Sequence, residues 1–433
     1  MKIVMGEEKL IVQGMRPEEN PWGAYQFPIP YKLSDGIAVS VHVADDGIEH
    51  FCKETKRWFK STDNGETWFE VDSSISSECG ILLKNGDRLY FPEVKSQEVG
   101  DYVLMPSSYR TPATDMSEPA PEGVLPVPDG MTFNFDETIY AYLADRLPES
   151  LRKKEWLAFR IPFGANEAME ERATLEWPYL TRVVFTKGSK KVMRSIFPHG
   201  RGRIGPDGAL WISTYSGDGH VDPNTGLYSP YYSAQIFRSE DNGHTFKLRA
   251  HMSYPADGTL EYPYLSGGFS DNDFEFMPDG SIVWFLRSAW FGRTGYEWAP
   301  MYYCRSTDGG KTFTKPIQFS STGVYPSLCT LTDGTKMLCY ARPGIFVTAN
   351  ENDSGTQWCE PLVVMTPDDR SYLANIIPER PTFHHWDGAC NNPKLLALDD
   401  NSALIFYSDF YYPDESGVKR KSILCRKLTV ERS

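Results

Sequence analysis

One short pattern recurs along this chain and leaves few folds open to it: an apolar run, a tight turn built on Asp, Asn and Gly, then a second apolar run. It reads YKLSDGIAVSV around Asp35-Gly36, ILLKNGDRLYF around Asn85-Gly86 and RIGPDGALWIS around Asp207-Gly208. It continues as FMPDGSIVWFL around Asp279-Gly280 and LTDGTKMLCY around Asp333-Gly334, with a weaker copy, LLALDDNSALIFY, around Asp400-Asn401. Asp-Gly and Asn-Gly between β-type runs are the strongest local hairpin signal, because both residues tolerate the positive φ that tight hairpin turns require. Six such hairpins predict six sheets of similar build, and closing sheets around an axis is one way a large all-β chain protects its edges.

A second motif runs in register with the first. It appears as Ser61-Thr-Asp63-Asn-Gly65-Glu-Thr67-Trp68, as Ser239-Glu-Asp241-Asn-Gly243-His-Thr245-Phe246 and as Ser306-Thr-Asp308-Gly-Gly310-Lys-Thr312-Phe313. A degenerate copy is Asn352-Asp-Ser-Gly355-Thr-Gln-Trp358. The Asp accepts backbone N–H bonds within its own turn, Gly supplies a positive φ, and the aromatic plugs the hairpin. These aspartates are therefore read as turn staples rather than as catalytic groups or metal ligands.

Composition sets the outer limits. At 433 residues the chain exceeds one ordinary core. Its 40% hydrophobic and 24% charged residues are those of a folded protein, and no apolar run is long enough to span a bilayer as a helix. A net charge of −14 argues against a nucleic-acid partner, since phosphate-backbone binding rests on clustered basic charge. None of the eight cysteines forms a CxxC pair, which argues against zinc ribbons and dithiol redox motifs. His384-His385 is spaced poorly for joint ligation, so neither a metal nor a cofactor is expected. The opening MKIVMGEEKLIVQG has no apolar core or cleavage site of a signal peptide. The expected location is the cytoplasm, or outside the cell if an export segment has been trimmed away.

Three copies of S-x-D-x-G-x-T-W/F beside six hairpins resemble the sialidase (neuraminidase) superfamily, in which this motif is the Asp-box. GVYPSLCTLTDGTKMLCYARPG and DDNSALIFYSDF are similar to the later blades of bacterial sialidase-like proteins. The resemblance extends from about Tyr25 to Phe410 and implies a six-bladed β-propeller forming a single domain over residues 1–433. One interval is abnormally long. The Pro-rich stretch SSYRTPATDMSEPAPEGVLPVPDG, and DRLPESLRKKEW with the pattern of a short helix, predict an insertion in blade two over about residues 104–175.

The resemblance also says where chemistry belongs: around the axis, at the end of each inner strand remote from its hairpin turn. Counting back from the turns gives His199 in blade three, Asp271 in blade four, Tyr325 in blade five and Asn392 in blade six, with Glu78 and Gln26 nearly in place in blades two and one. Second strands end at His42, Tyr215, Arg287, Arg342 and Asp409. Each residue has a plain structural reading, and the case for a site is the collective one.

Sialidases clamp a carboxylate with three arginines, because a guanidinium donates paired hydrogen bonds to it. The resemblance puts two of them at Arg287 and Arg342, which are expected to approach one another. Gln26, in Tyr25-Gln26-Phe27-Pro28, stands where the first arginine belongs. Asn392 stands where the nucleophilic tyrosine belongs, and that tyrosine's carboxylate partner falls on Asp271 or Asp273. The acid/base aspartate falls on Asp45 or Asp46.

Without the tyrosine, carboxylates must carry any hydrolysis, and Asp271 or Asp273 opposite Glu78, Asp45 or Asp46 is the expected pair. His199 orients the acid or donates to the leaving group, while Arg287, Arg342, Gln26, Tyr325, Asn392 and Tyr215 bind substrate. The leading expectation is a glycoside hydrolase acting on a terminal anionic sugar. Two alternatives stay open: a uronate-directed lyase using His and Tyr, and a carbohydrate-binding propeller without catalysis.

Overall fold

In a computed structural model of the chain, the structure describes residues 1–16, 18–19, 24–44, 56–91, 97–99, 102–105, 124–125, 139–143, 155–165, 167–176, 180–186, 191–193, 197–198, 202–216, 220–221, 228–229, 233–253, 268–288, 300–321, 323–341, 344–366 and 392–432. The described residues form β-strands and one 3-10 turn, Ser73–Glu78. The chain divides into two compact units, the first of Met1–Gly80, Asp273–Phe285 and Tyr296–Ser433, the second of Ile81–Asn272 and Leu286–Gly295.

Six four-stranded antiparallel meanders are the blades of a β-propeller, the fold class the hairpin repeat predicts. In the first unit, blade one is Ala24–Lys32, Ile37–Ala44, Lys56–Ser61 and Phe69–Val71, and blade five is Val324–Thr330, Lys336–Ala341, Ile345–Ala349 and Leu362–Met365. Blade six is Lys394–Ala397, Ser402–Pro413 and Lys419–Glu431, and its fourth strand is the chain's first, Lys2–Val12. The apolar run of Ser402–Pro413 reflects burial of both faces. Ala403, Ile405 and Tyr407 join one core with Met337, Cys339 and Val347, while Leu404 and Phe406 join another with Val39, Val41 and Phe59.

In the second unit, blade two is Ile81–Leu82, Arg88–Tyr90, Glu155–Ile161 and Met169–Glu176. Blade three is Arg203–Ile204, Leu210–Ser216, Ser233–Ser239 and Thr245–Ser253. The outer strands of the two blades pair in parallel, with Leu175 opposite Phe246. Blade four, of Phe269–Phe276, Ile282–Ser288, Met301–Ser306 and Ile317–Ser320, has two strands that carry residues of both units.

The expected insertion contains more of the propeller than its composition suggests. Glu155–Ile161 lies within residues 104–175 and Met169–Glu176 all but its last residue, yet they are the third and fourth strands of blade two. Glu155-Trp156, the end of the expected helix, opens one of these strands. In EWLAFRI alternate residues Trp156, Ala158 and Arg160 are buried, so the period is two and not 3.6. Trp156 packs on Phe246 and Phe237 at ring distances of 4.9 and 5.2 Å. Arg160 donates to Glu171, Asp87 and the Asn242 carbonyl, tying this strand to both turns beside it. Other segments, among them Tyr102–Met105, Ile139–Leu143, Leu180–Thr186 and Lys191–Met193, form a separate sheet.

The hairpin turns differ in detail from the expectation that both turn residues take a positive φ. Only the glycine does so at Gly86, Gly208, Gly280 and Gly334, and its N–H donates to the carbonyl three residues earlier. The aspartate instead accepts the N–H two residues on, as Asp207 does from Ala209 and Asp333 from Thr335. This is a type I turn followed by a glycine bulge, which asks for one left-handed residue instead of two.

The S-x-D-x-G-x-T turns share one set of bonds. Ser61 Oγ donates to Asp63 at 2.7 Å and accepts the Gly65 N–H at 2.8 Å, and Asp63 accepts the Thr67 N–H at 2.9 Å. Ser239, Asp241, Gly243 and Thr245 repeat this pattern, as do Ser306, Asp308, Gly310 and Thr312. Asn352 substitutes in the degenerate copy, accepting the Thr356 N–H at 3.0 Å. Gly65 has φ +93°, and a Cβ there would lie 2.7 Å from Leu404 Cδ1, so glycine is needed twice over.

Bonds from the Thr67 hydroxyl and N–H and from Ser61 lower the Asp63 carboxyl to about 2 from its ordinary 3.8. A lowered folded-state value adds stability that is fully present above the unfolded value and is lost as pH falls toward 2. Asparagine fills the same role in the degenerate copy. Asp63→Asn is therefore predicted to fold, with a urea midpoint that falls less steeply between pH 4 and pH 2 than the wild type's.

Candidate functional site

The strand Phe269–Phe276, sequence FSDNDFEF, is anomalous for a buried strand. Ser270, Asp271, Asn272, Asp273 and Glu275 are all less than 9% exposed. Burying a carboxylate costs several kcal/mol unless it is paired or hydrogen-bonded, so each of these groups must be accounted for. Asn272 donates to the Thr214 carbonyl at 2.7 Å and to the Ser270 carbonyl at 3.1 Å, a purely architectural role. Asp273 accepts the Phe274 N–H at 3.0 Å and the Leu328 N–H at 2.8 Å, which docks it onto blade five's inner strand. Glu275 accepts the N–H of Phe276 at 2.9 Å.

Asp271 is different. Its Oδ2 accepts from Arg287 at 2.5 Å, and Arg287 retains 26% of its side-chain exposure against 8% for Asp271. Arg287 lies near the end of Ile282–Ser288, the second strand of the same blade. The sequence singled out both residues, and the structure brings them together. The pair lies in the second unit, where Tyr215 is also buried, on Leu210–Ser216 opposite Phe197 and Ala234.

The first unit places a second group of expected residues. Tyr325 has φ +56°, at a break in register between Val324 and Ser327 and just ahead of Pro326. Blade one repeats this: Phe27 has φ +52°, its register breaks between Gln26 and Ile29, and Pro28 follows. Both aromatics stand nine residues ahead of their turn glycines. A left-handed bulky residue costs about 1–3 kcal/mol and persists only where the surroundings hold it. Phe27 meets the buried His42 edge-on at 5.5 Å. Tyr325 carries the Lys394 ammonium 4.1 Å above its ring centroid. Gln26 pairs in register with His42, and Asn392 is 9% exposed just before blade six's inner strand.

Glu78 lies exposed at the end of the 3-10 turn Ser73–Glu78. His199, Asp45, Asp46 and Arg342 lie outside the described residues, and with Arg342 goes the expected approach of two arginines. Among the described residues no group of three or more His, Cys, Asp and Glu side chains is placed to hold a metal ion. Lys394 was not among the expected residues. Its only sequence signal is its place two residues after Asn392, at the start of blade six's inner strand.

No protein-family model and no curated protein matches the chain. Among solved structures it is similar to a protein of unknown function from Dyadobacter fermentans, at TM-score 0.59 and 18% identity, covering 99% of each chain. That likeness is one of fold. The chain also resembles a Hadza microbial sialidase, at TM-score 0.48 and 14% identity over 96% of this chain and 68% of that one. An α-L-arabinofuranosidase from Fusarium graminearum is similar at TM-score 0.46 and 12% identity over 97% of both chains.

The Asp271–Arg287 contact predicts an asymmetric response to mutation. Arg287→Ala leaves a buried carboxylate without its cation and should lower stability by about 2 kcal/mol, a figure reduced for the arginine's partial exposure. Asp271→Asn combined with Arg287→Gln should recover at least half of that loss. Urea unfolding of the wild type, the single variant and the double variant measures both.

Proposed function

We propose that this chain is a glycoside hydrolase with a sialidase-like propeller, acting on an anionic sugar through carboxylates and not through a tyrosine nucleophile. The observation that carries this reading is Asp271, a nine-tenths-buried carboxylate that accepts a hydrogen bond from the partly exposed Arg287. An ion-paired carboxylate suits a base or a nucleophile, whereas the acid must hold a proton. Asp271 is accordingly assigned to water activation or attack at the anomeric carbon. Water's proton passes to the base, and the leaving oxygen receives one from a second acid. Arg287 keeps Asp271 in place, and its partly exposed guanidinium is the cation assigned to meet the substrate. Asn392 in the tyrosine's slot fits a binding role, since an amide donates and accepts but does not attack. The names of the sialidase and the arabinofuranosidase among the similar structures agree with a carbohydrate substrate.

A second reading, carbohydrate binding without turnover, is favoured by one fact: Gln26 and Asn392 both replace residues on which sialidase chemistry depends.

The test is a panel of acidic and neutral glycosides followed by proton NMR, which also identifies the anomer released or the unsaturated product of a lyase. The expected result is turnover that Asp271→Asn lowers by a factor of roughly 10² or more, with folding intact. Full activity in both Asp271→Asn and Asp273→Asn would move the chemistry elsewhere. Binding without turnover across the panel would establish the second reading.

A further inference from the structure

The sequence contains three Asn-Gly pairs, Asn64-Gly65, Asn85-Gly86 and Asn242-Gly243. Such a pair is chemically labile, because a glycine has no side chain to keep its backbone nitrogen away from the asparagine amide before it. The local chemistry is the same at all three, and the structure separates them.

Reaction requires the glycine nitrogen to leave its hydrogen bond and approach the asparagine Cγ. Gly65 and Gly243 are held against this. Both are buried, and each N–H donates at 2.8 Å to a serine hydroxyl, that of Ser61 or Ser239, which is itself bonded to the aspartate of the turn. Leu404 and Leu89, both buried, pack where a Cβ would stand on each glycine. Gly86 is half-buried, and its N–H donates to the Leu83 carbonyl at 3.0 Å within the turn itself. The side chain lying over it is Phe163, which is 81% exposed. Water can take over the bond as this turn opens, whereas opening either serine turn leaves buried donors unmet.

Asn85 also matters to what surrounds it. Its Nδ2 donates to Asp87 at 2.8 Å, and its Oδ1 accepts the Asp87 N–H at 3.1 Å. Asp87 in turn accepts from the buried Arg160 at 3.2 Å and from the Phe163 N–H at 3.0 Å. Arg160 reaches onward to Glu171 and to the Asn242 carbonyl, so the amide of Asn85 supports one anchor of the group that ties blade two together.

We propose that Asn85 is a site of spontaneous deamidation, a modification that loosens blade two as the protein ages. The Gly86 nitrogen bonds to Asn85 Cγ, the bond from Cγ to the amide nitrogen breaks, and the proton of the Gly86 N–H leaves with the departing ammonia. Water then opens the cyclic imide at either carbonyl, which leaves aspartate or isoaspartate at position 85. Water is the sole co-reactant. Either product sets a carboxylate beside Asp87 where an amide had donated to it, and isoaspartate also lengthens the backbone of the turn. Neither a sugar nor Asp271 enters this reaction, so it stands apart from the proposed function.

The experiment holds the full chain, folded, in mildly alkaline buffer and follows the amide-to-acid mass change at Asn64, Asn85 and Asn242 by peptide mapping. A parallel sample is unfolded in guanidinium chloride. In the folded chain Asn85 should react roughly 10-fold or more faster than either of the others. In the unfolded chain the three rates should converge. Phe163→Ala, a change at an exposed side chain, should quicken Asn85 and leave the other two as they were, whereas Ser61→Ala should quicken Asn64. Equal rates at the three sites in the folded chain, or the same spread of rates in the unfolded one, would overturn the proposal, because structure would then not be choosing the site. For the consequence, Asn85→Asp should have a lower urea midpoint than Asn85→Ser, which removes the amide without adding charge. A midpoint for Asn85→Asp at or above that of Asn85→Ser would overturn the loosening of blade two.

Discussion

The pairing of the chain's first strand with its last is the contact on which the rest of blade six depends. Lys2–Val12 runs antiparallel to Lys419–Glu431, with Ile3 opposite Val430 and Leu10 opposite Leu424. Joining residues 418 positions apart, as Arg426 and Glu8 are, carries a loop-closure cost of about 5 kcal/mol before any contact is made. What offsets it is visible in the same strands. Ile3 and Ile11 bury against two different cores, and the ladder pairs backbone groups that an open sheet edge would leave to solvent. A compact polar knot adds specificity. Tyr407 donates to Glu8 at 2.5 Å, and Arg426 donates to both the Tyr407 oxygen and Glu8. Burial and the neighbouring Glu8 push the Tyr407 phenol well above its usual range, so it remains a donor at any working pH. Pairing of this kind fixes the register of Lys2–Val12, because a slip of one residue would turn Ile3 and Ile11 toward solvent.

Blade four's inner strand carries the opposite kind of constraint. A strand buried on both faces is normally an apolar run, as Ser402–Pro413 nearly is, whereas FSDNDFEF places polar groups at most of its buried positions. Asn272, Asp273 and Glu275 recover their desolvation cost by binding backbone groups, so they add uniqueness to the packing. Asp271 recovers it from a side chain that still reaches solvent. That difference, two residues apart on one strand, separates the side-chain contact of Asp271 from the backbone bonds of Asp273.

Much of the fold was legible because its signals are local. The five Asn/Asp-Gly turns and the three S-x-D-x-G-x-T turns each satisfy their hydrogen bonds within a few residues, so a short window of sequence contains the whole cause. The pairing of Lys2–Val12 was not legible, since its partner lies at the other end of the chain. The two strands of blade two within residues 104–175 were hidden by a Pro-rich context and by charged residues such as Arg160, which is buried only because Glu171 and Asp87 wait for it. At the candidate site, Asp271 and Arg287 could be placed by counting from hairpin turns. Lys394 could not, because nothing in Pro393-Lys394-Leu395 tells which ring the ammonium will meet.

The aspartates of this chain show how a structural carboxylate can be told from an available one. Asp63 and Asp308 are exposed, yet every bond that holds them comes from their own turn, and those bonds keep both well below the usual carboxylate range. Exposure does not free them, because a ligand would have to displace donors that the turn needs for its own shape. Asp271 is buried, and it accepts a bond from Arg287, sixteen residues away on another strand. Arg287 can exchange that bond for one to a ligand without unmaking any turn. Availability for chemistry therefore follows from whether a group's partners are also needed by the local backbone, more than from how much of its surface meets water. By that measure the conspicuous aspartates of the repeat belong to the scaffold, and the inconspicuous one inside SDND is the one proposed for chemistry.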